Sequence, residues 1–431
     1  MKRIGLSALA LAACNGDAGV ITVDLATAPG STLLDGVQTL RMVITEPHKV
    51  LTAERDGDGF DLALDLPATG THAAILVDGL DASGTVIATG ATPQFAFGGV
   101  DGHVVVYMAA PNSVAIAPRA LEPARSALAS GPLAYGVAFA GGTLASGEAS
   151  DAVAIYNAYD HSLLAGLPLP APRSGLALGV GTLGIYLFGG RDSAGAPAQS
   201  LWRFDPQQAP SGLYGDFGER PGFGRAGEHF VPTGNEHFLL TGMPGAELLG
   251  LDGSMVALDE VPTLPTEGVT VTANDGTVVS FFVGASSVVR CRAGTCEMTA
   301  LPGRASASVV ALPGGKVGVV CGTTDLVRID AATGVPETIA GIPTVAKSGC
   351  AAAVTARHLV IAGGTTTSGA DASVEIYDAA TLDLVATSTL AVPRSGAVAV
   401  ALGNDQVLIA GGLDASGQPT ATLELFTPAN P

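Results

Sequence analysis

Eight residues near the C-terminus recur at one shared offset. Gly411, Gly412, Asp414, Gly417, Pro419, Leu423, Phe426 and Pro428 stand 222 positions after Gly189, Gly190, Asp192, Gly195, Pro197, Leu201, Phe204 and Pro206. A weaker copy lies 48 residues before the earlier one, in Gly141, Gly142, Gly147, Val153 and Tyr156. Another, shorter by one residue, runs from Gly363-Gly364 through Val374 to Tyr377. Internal repetition at this period decides the fold class before any other property does. Each copy opens on a basic residue followed by a short alternating run, at Arg125, Arg173, Arg225, Arg304, Lys347 and Arg394. The 79-residue gap between Arg225 and Arg304 is long enough for two units, the second opening near Glu267, which makes seven units.

Within a unit the sequence reads as strands. In the unit from Lys347 to Pro393, "GCAAAVTA", "HLVIAGG", "ASVEIYDAA" and "DLVATSTLAV" are short apolar runs broken by Gly, Asp, Ser and Pro, without helical periodicity. Val, Ile, Thr and Tyr suit a pleated surface. A lone four-stranded sheet cannot bury both faces, so such units must stack, and radial stacking into a β-propeller leaves only short, protected edges. The segment after Arg394 supplies three strands. The fourth has a candidate at 112–123, "NSVAIAPRALEP", which resembles the "DLVATSTLAVP" before Arg394.

A Gly-Gly pair ending the second strand, an aromatic about 14 residues later (Tyr156, Phe204, Tyr377, Phe426) and a period near 47 resemble kelch repeats. The resemblance covers roughly 111–431 and implies a kelch-type β-propeller, with seven blades and six as the alternative. Units one, two, six and seven carry it. Between Arg225 and Arg304 "LLTGM" and "FFVGA" replace the double glycine, and Cys321-Gly322 replaces it in unit five.

The N-terminus has a different build. "MKRIGLSALALAAC" has a basic start, an apolar run and small residues before a cysteine, the pattern of an export signal. Leu11-Ala12-Ala13-Cys14 resembles a bacterial lipobox, which implies a signal peptide at 1–13, lipidation of Cys14 and a tether at 14–19; an ordinary signal peptide or a buried N-terminal strand are the alternatives. Acyl chains would supply membrane anchoring, and Asn15 after the cysteine favours the outer membrane over the inner by the enterobacterial rule. Residues 20–110 alternate apolar and polar positions in seven short runs without the 47-residue repeat, the spacing of an immunoglobulin-like or transthyretin-like β-sandwich.

Twenty Lys and Arg stand against 39 Asp and Glu, a net charge of −19, and no basic run interrupts this. Such a surface disfavours nucleic acid and anionic headgroups. Four cysteines follow Cys14. Cys291 and Cys296 in "CRAGTC" are placed to bridge a hairpin turn, and Cys321 and Cys350 to join adjacent units, with buried free thiols the alternative.

Candidate chemistry is sparse. Glu228, His229, Glu236 and His237 in "GEHF" and "NEHF" offer two imidazoles and two carboxylates, but at no established metal-ligand spacing, so strand ends facing solvent is the preferred reading. Asp56, Asp58 and Asp61 in "RDGDGFD" faintly suggest a calcium loop, yet a Gly-Asp-Gly hairpin turn accounts for them. The repeated "RSG" at 173–175 and 394–396 reads as structural. No nucleophile elbow, phosphate loop or dinucleotide fingerprint occurs, so neither cofactor nor metal is expected.

These features lead to the expectation of a lipid-anchored, non-enzymatic binding or scaffold protein of the cell envelope, contacting a protein or a glycan through propeller loops. The alternative is a carbohydrate-active enzyme on a kelch propeller, mutarotase-like or oxidase-like. For an oxidase the propeller holds few histidines, His161, His229, His237 and His358. Ionisable groups converging on the central channel would favour an enzyme, and small apolar side chains there a scaffold.

Overall fold

The computed structural model describes residues 4–5, 21–57, 59–60, 70–96, 102–208, 212–219, 230–234, 237–240, 246–250, 254–258, 267–284, 286–292, 295–301 and 307–431. Among these, regular structure consists of β-strands and one 3-10 turn, Leu33–Gly36.

The N-terminal part is a sandwich. Ile21–Ala26 pairs in parallel with Gly102–Tyr107, and Ile4–Gly5 pairs antiparallel with Ile21–Ala26. The facing sheet runs in the order Gly59–Phe60, Lys49–Asp56, Thr39–Ile44, Ile75–Leu80, Val86–Ala91. Period-2 alternation sends Leu40, Met42 and Ile44 inward, where they join Val23, Leu25, Val104 and Val106 from the other sheet in one core.

The described residues of 113–431 form seven four-stranded antiparallel sheets. Blades 1 to 6 begin at Ala129, Ala177, Phe230, Glu267, Ser308 and Ala351, each running through four successive principal strands. Blade 7 takes three strands, Val398–Ala401, Val407–Ala410 and Thr422–Thr427, from the end of the chain. Its outer strand is Ser113–Ala120, paired antiparallel with Thr422–Thr427 from Ser113 opposite Thr427 to Ala120 opposite Thr422. Each first strand lies against that of the next blade, and that of blade 7 against that of blade 1, so the ring is closed.

Stacking is what makes each blade stable. In blade 7, Leu408, Ala410, Leu423 and Leu425 point into a core shared with blade 1, while Val407, Ile409 and Phe426 point into one shared with blade 6. Both faces are thus apolar and both are covered, and each large side chain contributes roughly 1.5–3 kcal/mol by its burial.

Meander topology sorts the connections onto two ends of the ring. First-to-second and third-to-fourth turns share one face; second-to-third loops and the links between blades share the other. The sandwich sits on the first face. Asn404, in a first-to-second turn, donates to the Ala91 carbonyl (2.8 Å), and the Tyr159 hydroxyl, in a third-to-fourth turn, donates to the Gln94 carbonyl (2.8 Å).

Candidate binding face

The free face is built from the repeat motif. Of the basic residues that open the units, Arg225 and Arg304 lie outside the described residues; among the others Arg125 and Arg394 are fully covered, Lys347 nearly so and Arg173 partly. Each clamps the base of its own second-to-third loop. Nη1 of Arg125 donates to the carbonyls of Gly141 (2.9 Å) and Ala152. Nη1 of Arg394 donates to those of Gly411 (3.4 Å) and Thr422 (2.7 Å). Nζ of Lys347 reaches Asp371 (3.3 Å) and Ser373 (2.9 Å), and the Arg173 guanidinium bonds the Ser200 hydroxyl (3.1 Å) and stacks on the Trp202 ring.

In blades 7 and 6 a buried third-strand carboxylate faces the cation: Glu424 meets Arg394 at 2.5 Å and Glu375 meets Lys347 at 3.6 Å. These carboxylates also accept the Ala391 and Thr344 amides, each three residues ahead of the basic opener, so one carboxylate fixes both sides of a blade link. Burial pushes the Glu424 carboxyl up and the Arg394 guanidinium down, and their mutual attraction opposes both shifts. Burial likewise pushes Arg125 down to about 10, with Asp151 opposing, and its Nε and Nη2 find no partner among the described residues.

The double glycines are explained by the seam between blades. The second glycine donates its N–H to the carbonyl of the next basic opener: Gly142 to Arg173, Gly364 to Arg394, and Gly322 to Lys347, each at 2.8 Å. A Cβ on the first glycine would lie 2.4 Å from the Arg173 carbonyl oxygen at Gly141 and 2.5 Å from that of Arg394 at Gly363, and both positions have positive φ. In blade 5 that position is Cys321, also at positive φ, and it is disulfide-bonded to Cys350. Cys350 aligns with Leu176 and Leu128, which pack against Gly141 and Gly411 in the corresponding seams. A disulfide thus replaces a glycine–leucine contact. The other disulfide, Cys291–Cys296, spans a hairpin of blade 4.

The same positions ring the channel mouth. Ala127, Gly175, Gly349 and Gly396, two residues after their openers, all have positive φ. Gly175 donates to the Ala127 carbonyl and Gly396 to that of Gly349, both at 2.9 Å, which ties neighbouring blades around the opening. Ser174 and Ser395 pair by backbone with residues of their own blade's loop, a structural placement for the "RSG" motif. The first strands lining the axis read ASGPL, ALGVG, FVPTG, EGVTVT, SVVAL, AAAV and VAVA, small or apolar apart from Glu267.

Loop length makes this face asymmetric. Second-to-third connections span 363–372, 411–421, 141–152 and 189–199 in blades 6, 7, 1 and 2, which are contiguous in the ring. In blades 4 and 5 they shrink to 284–286 and 321–324. The long loops are braced internally: Oδ1 of Asp192 accepts from the Ala194 and Ala196 amides, and Oδ1 of Asp414 from those of Ser416 and Gln418, all at 2.8–3.0 Å.

Other residues singled out by sequence do not assemble into a site. Cys14, Asp58, Asp61, Glu228, His229 and Glu236 lie outside the described residues; His237 begins a strand of blade 3 and Asp56 ends one of the sandwich. No cluster of three metal-ligating side chains occurs among the described residues. Sequence reasoning passed over His161. It is buried at positive φ where sandwich, closing strand and blade 1 meet, with Nδ1 2.6 Å from the Tyr156 hydroxyl and Nε2 unpartnered among the described residues. Burial pushes its pKa down to about 4, against the pull of Asp160.

No protein-family model matches the chain, and no curated protein does. Among solved structures, streptogramin B lyase aligns with a TM-score of 0.51 at 15% identity, over 72% of this chain and 96% of the lyase. YjhT aligns with a TM-score of 0.42 at 13% identity, over 71% of this chain and 95% of YjhT. The likeness to the lyase shows the propeller fold.

Proposed function

We propose that this is a kelch-type propeller protein exported to the bacterial cell envelope, held there by acyl chains on Cys14, that binds an envelope protein or glycan through its free face. One observation carries the reading: long second-to-third loops on four adjacent blades, clamped at their bases by their basic openers, stand on the face opposite the sandwich. Rigid bases with exposed polar tips are the arrangement by which a scaffold presents variable loops. The lipobox-like Leu11-Ala12-Ala13-Cys14 stands a short tether ahead of the strand Ile21–Ala26, cleavage before Cys14 would remove the edge pair Ile4–Gly5, and the sandwich would then act as the stalk on the membrane side. The axial strands of blades 1, 2, 5, 6 and 7 supply small and apolar residues, as a scaffold requires.

Metabolic labelling with an acyl analogue tests the anchor: wild type incorporates label and Cys14→Ser does not. Pulldown from envelope extract and a glycan array, each repeated with bulky substitutions at the loop tips Ser146 and Ser416, test the face. Capture that persists unchanged in both variants would refute the assignment of this face.

A further inference from the structure

The junction between sandwich and propeller contains a cleft of about 460 Å³ on the face opposite the long loops. We infer that this cleft is a second binding site, independent of the loop face, and that its ligand is a small neutral saccharide. Its size lies within the range of small-molecule pockets, which favour domain junctions.

The cleft is preformed. Asn404 ties the first-to-second turn of blade 7 to the Ala91 carbonyl. On the other side Asn430 donates to the carbonyls of Val77 (3.1 Å) and Gly90 (3.3 Å) and to Asp78 (2.9 Å). Walls pinned from both sides need little ordering when a ligand enters.

The lining selects the ligand class. Its ionisable side chains are Arg357 and Asp405, joined at 2.6 Å, so the lining side chains present a fixed ion pair and no unpaired cation. That combination disfavours phosphates and carboxylates. Because Nε of Arg357 takes Asp405, the terminal nitrogens of the guanidinium are directed elsewhere. Oγ1 of Thr45 accepts from the Ala74 amide, leaving the hydroxyl proton to donate, and Gln94 is exposed at the rim with an amide that both donates and accepts. Between these groups lie Leu76, Leu402 and Pro428. Alternating amide or hydroxyl partners and apolar wall match a sugar ring, whose hydroxyls donate and accept while its C–H faces need apolar contact.

The test uses the full soluble chain from Cys14→Ser, titrated with maltose, lactose, N-acetylglucosamine, glucuronate and inorganic phosphate by saturation-transfer NMR and calorimetry. Ala356 is exposed on a turn lining the cleft, so Ala356→Trp fills it from outside the core. Gln94→Ala, also exposed, is the milder variant should the first fail to fold. The expected result is saturable binding of at least one neutral sugar, weakened at least tenfold by Ala356→Trp and about threefold by Gln94→Ala, and unchanged by bulky substitution at Ser146. Overturning results are no saturable binding by any neutral sugar, binding of glucuronate or phosphate in their place, or sugar binding that both cleft variants leave intact. A sugar displaced by Ser146 substitution would place the binding on the loop face and equally overturn the second site.

Discussion

At the scale of single residues, buried charge is the most exposed part of the account. Arg394 and Glu424 are both fully buried and bonded to each other. Removing one partner strands the other, so Arg394→Met should cost about 3–5 kcal/mol in denaturant unfolding. Arg394→Met with Glu424→Leu should recover much of that, since no lone charge remains. His161 makes a prediction about pH. Its folded pKa is depressed to about 4, while an unfolded histidine titrates near 6.5, so between these values the unfolded chain binds the extra proton. Its contribution is full above pH 6.5 and is lost as pH falls toward 4, by an amount on the order of 3 kcal/mol. Unfolding titrations should show that slope, and His161→Asn, which tolerates positive φ, should flatten it. The basic openers were legible in sequence because they recur. Their carboxylate partners were legible too, in the shared "VEIY" and "LELF", but were not read. His161 has no repeated counterpart, and its burial arises only when the sandwich strand bearing Tyr107 arrives from outside the propeller, so no local pattern announces it.

At the scale of elements, the seam between blades is the unit of explanation. Glycine is required where a side chain would strike the next blade's backbone. Gly363→Ala meets the Arg394 carbonyl in addition to a strained φ, whereas Gly147→Ala meets open space. Thermal unfolding should therefore show a larger loss for Gly363→Ala than the 1–3 kcal/mol typical of φ strain alone, and only that strain for Gly147→Ala. The blade 5–6 seam permits a swap dictated by its neighbours. Cys350→Ser should cost about 2–4 kcal/mol by opening the disulfide. Cys321→Gly with Cys350→Leu should lose less, because it restores the contact seen at Gly141 and Leu176. The double glycines were easy to read and the reason for them was not: the 47-residue period records the blade, while the contact that fixes it spans two blades. Blades 3 and 4 were visible only as a gap of double length, since neither carries the glycine pair.

At the scale of the whole molecule, closure converts a row of sheets into a ring with two unlike faces. The sandwich takes one face and leaves the long loops of blades 6, 7, 1 and 2 on the other. Unit count and the strand missing from the last repeat were matters of arithmetic in the sequence. The cleft beside Arg357 was beyond reach, because its walls come from residues more than 250 positions apart that share no motif. Joining Ser113–Ala120 to Thr422–Thr427 holds the ring together, and cysteines at Ala120 and Thr422, direct partners in the ladder, test it most directly. Under native oxidising conditions the account predicts a peptide linked between these two positions and a rise in the unfolding midpoint. Two thiols that stay open to alkylation in the folded protein, with no linked peptide, would contradict it.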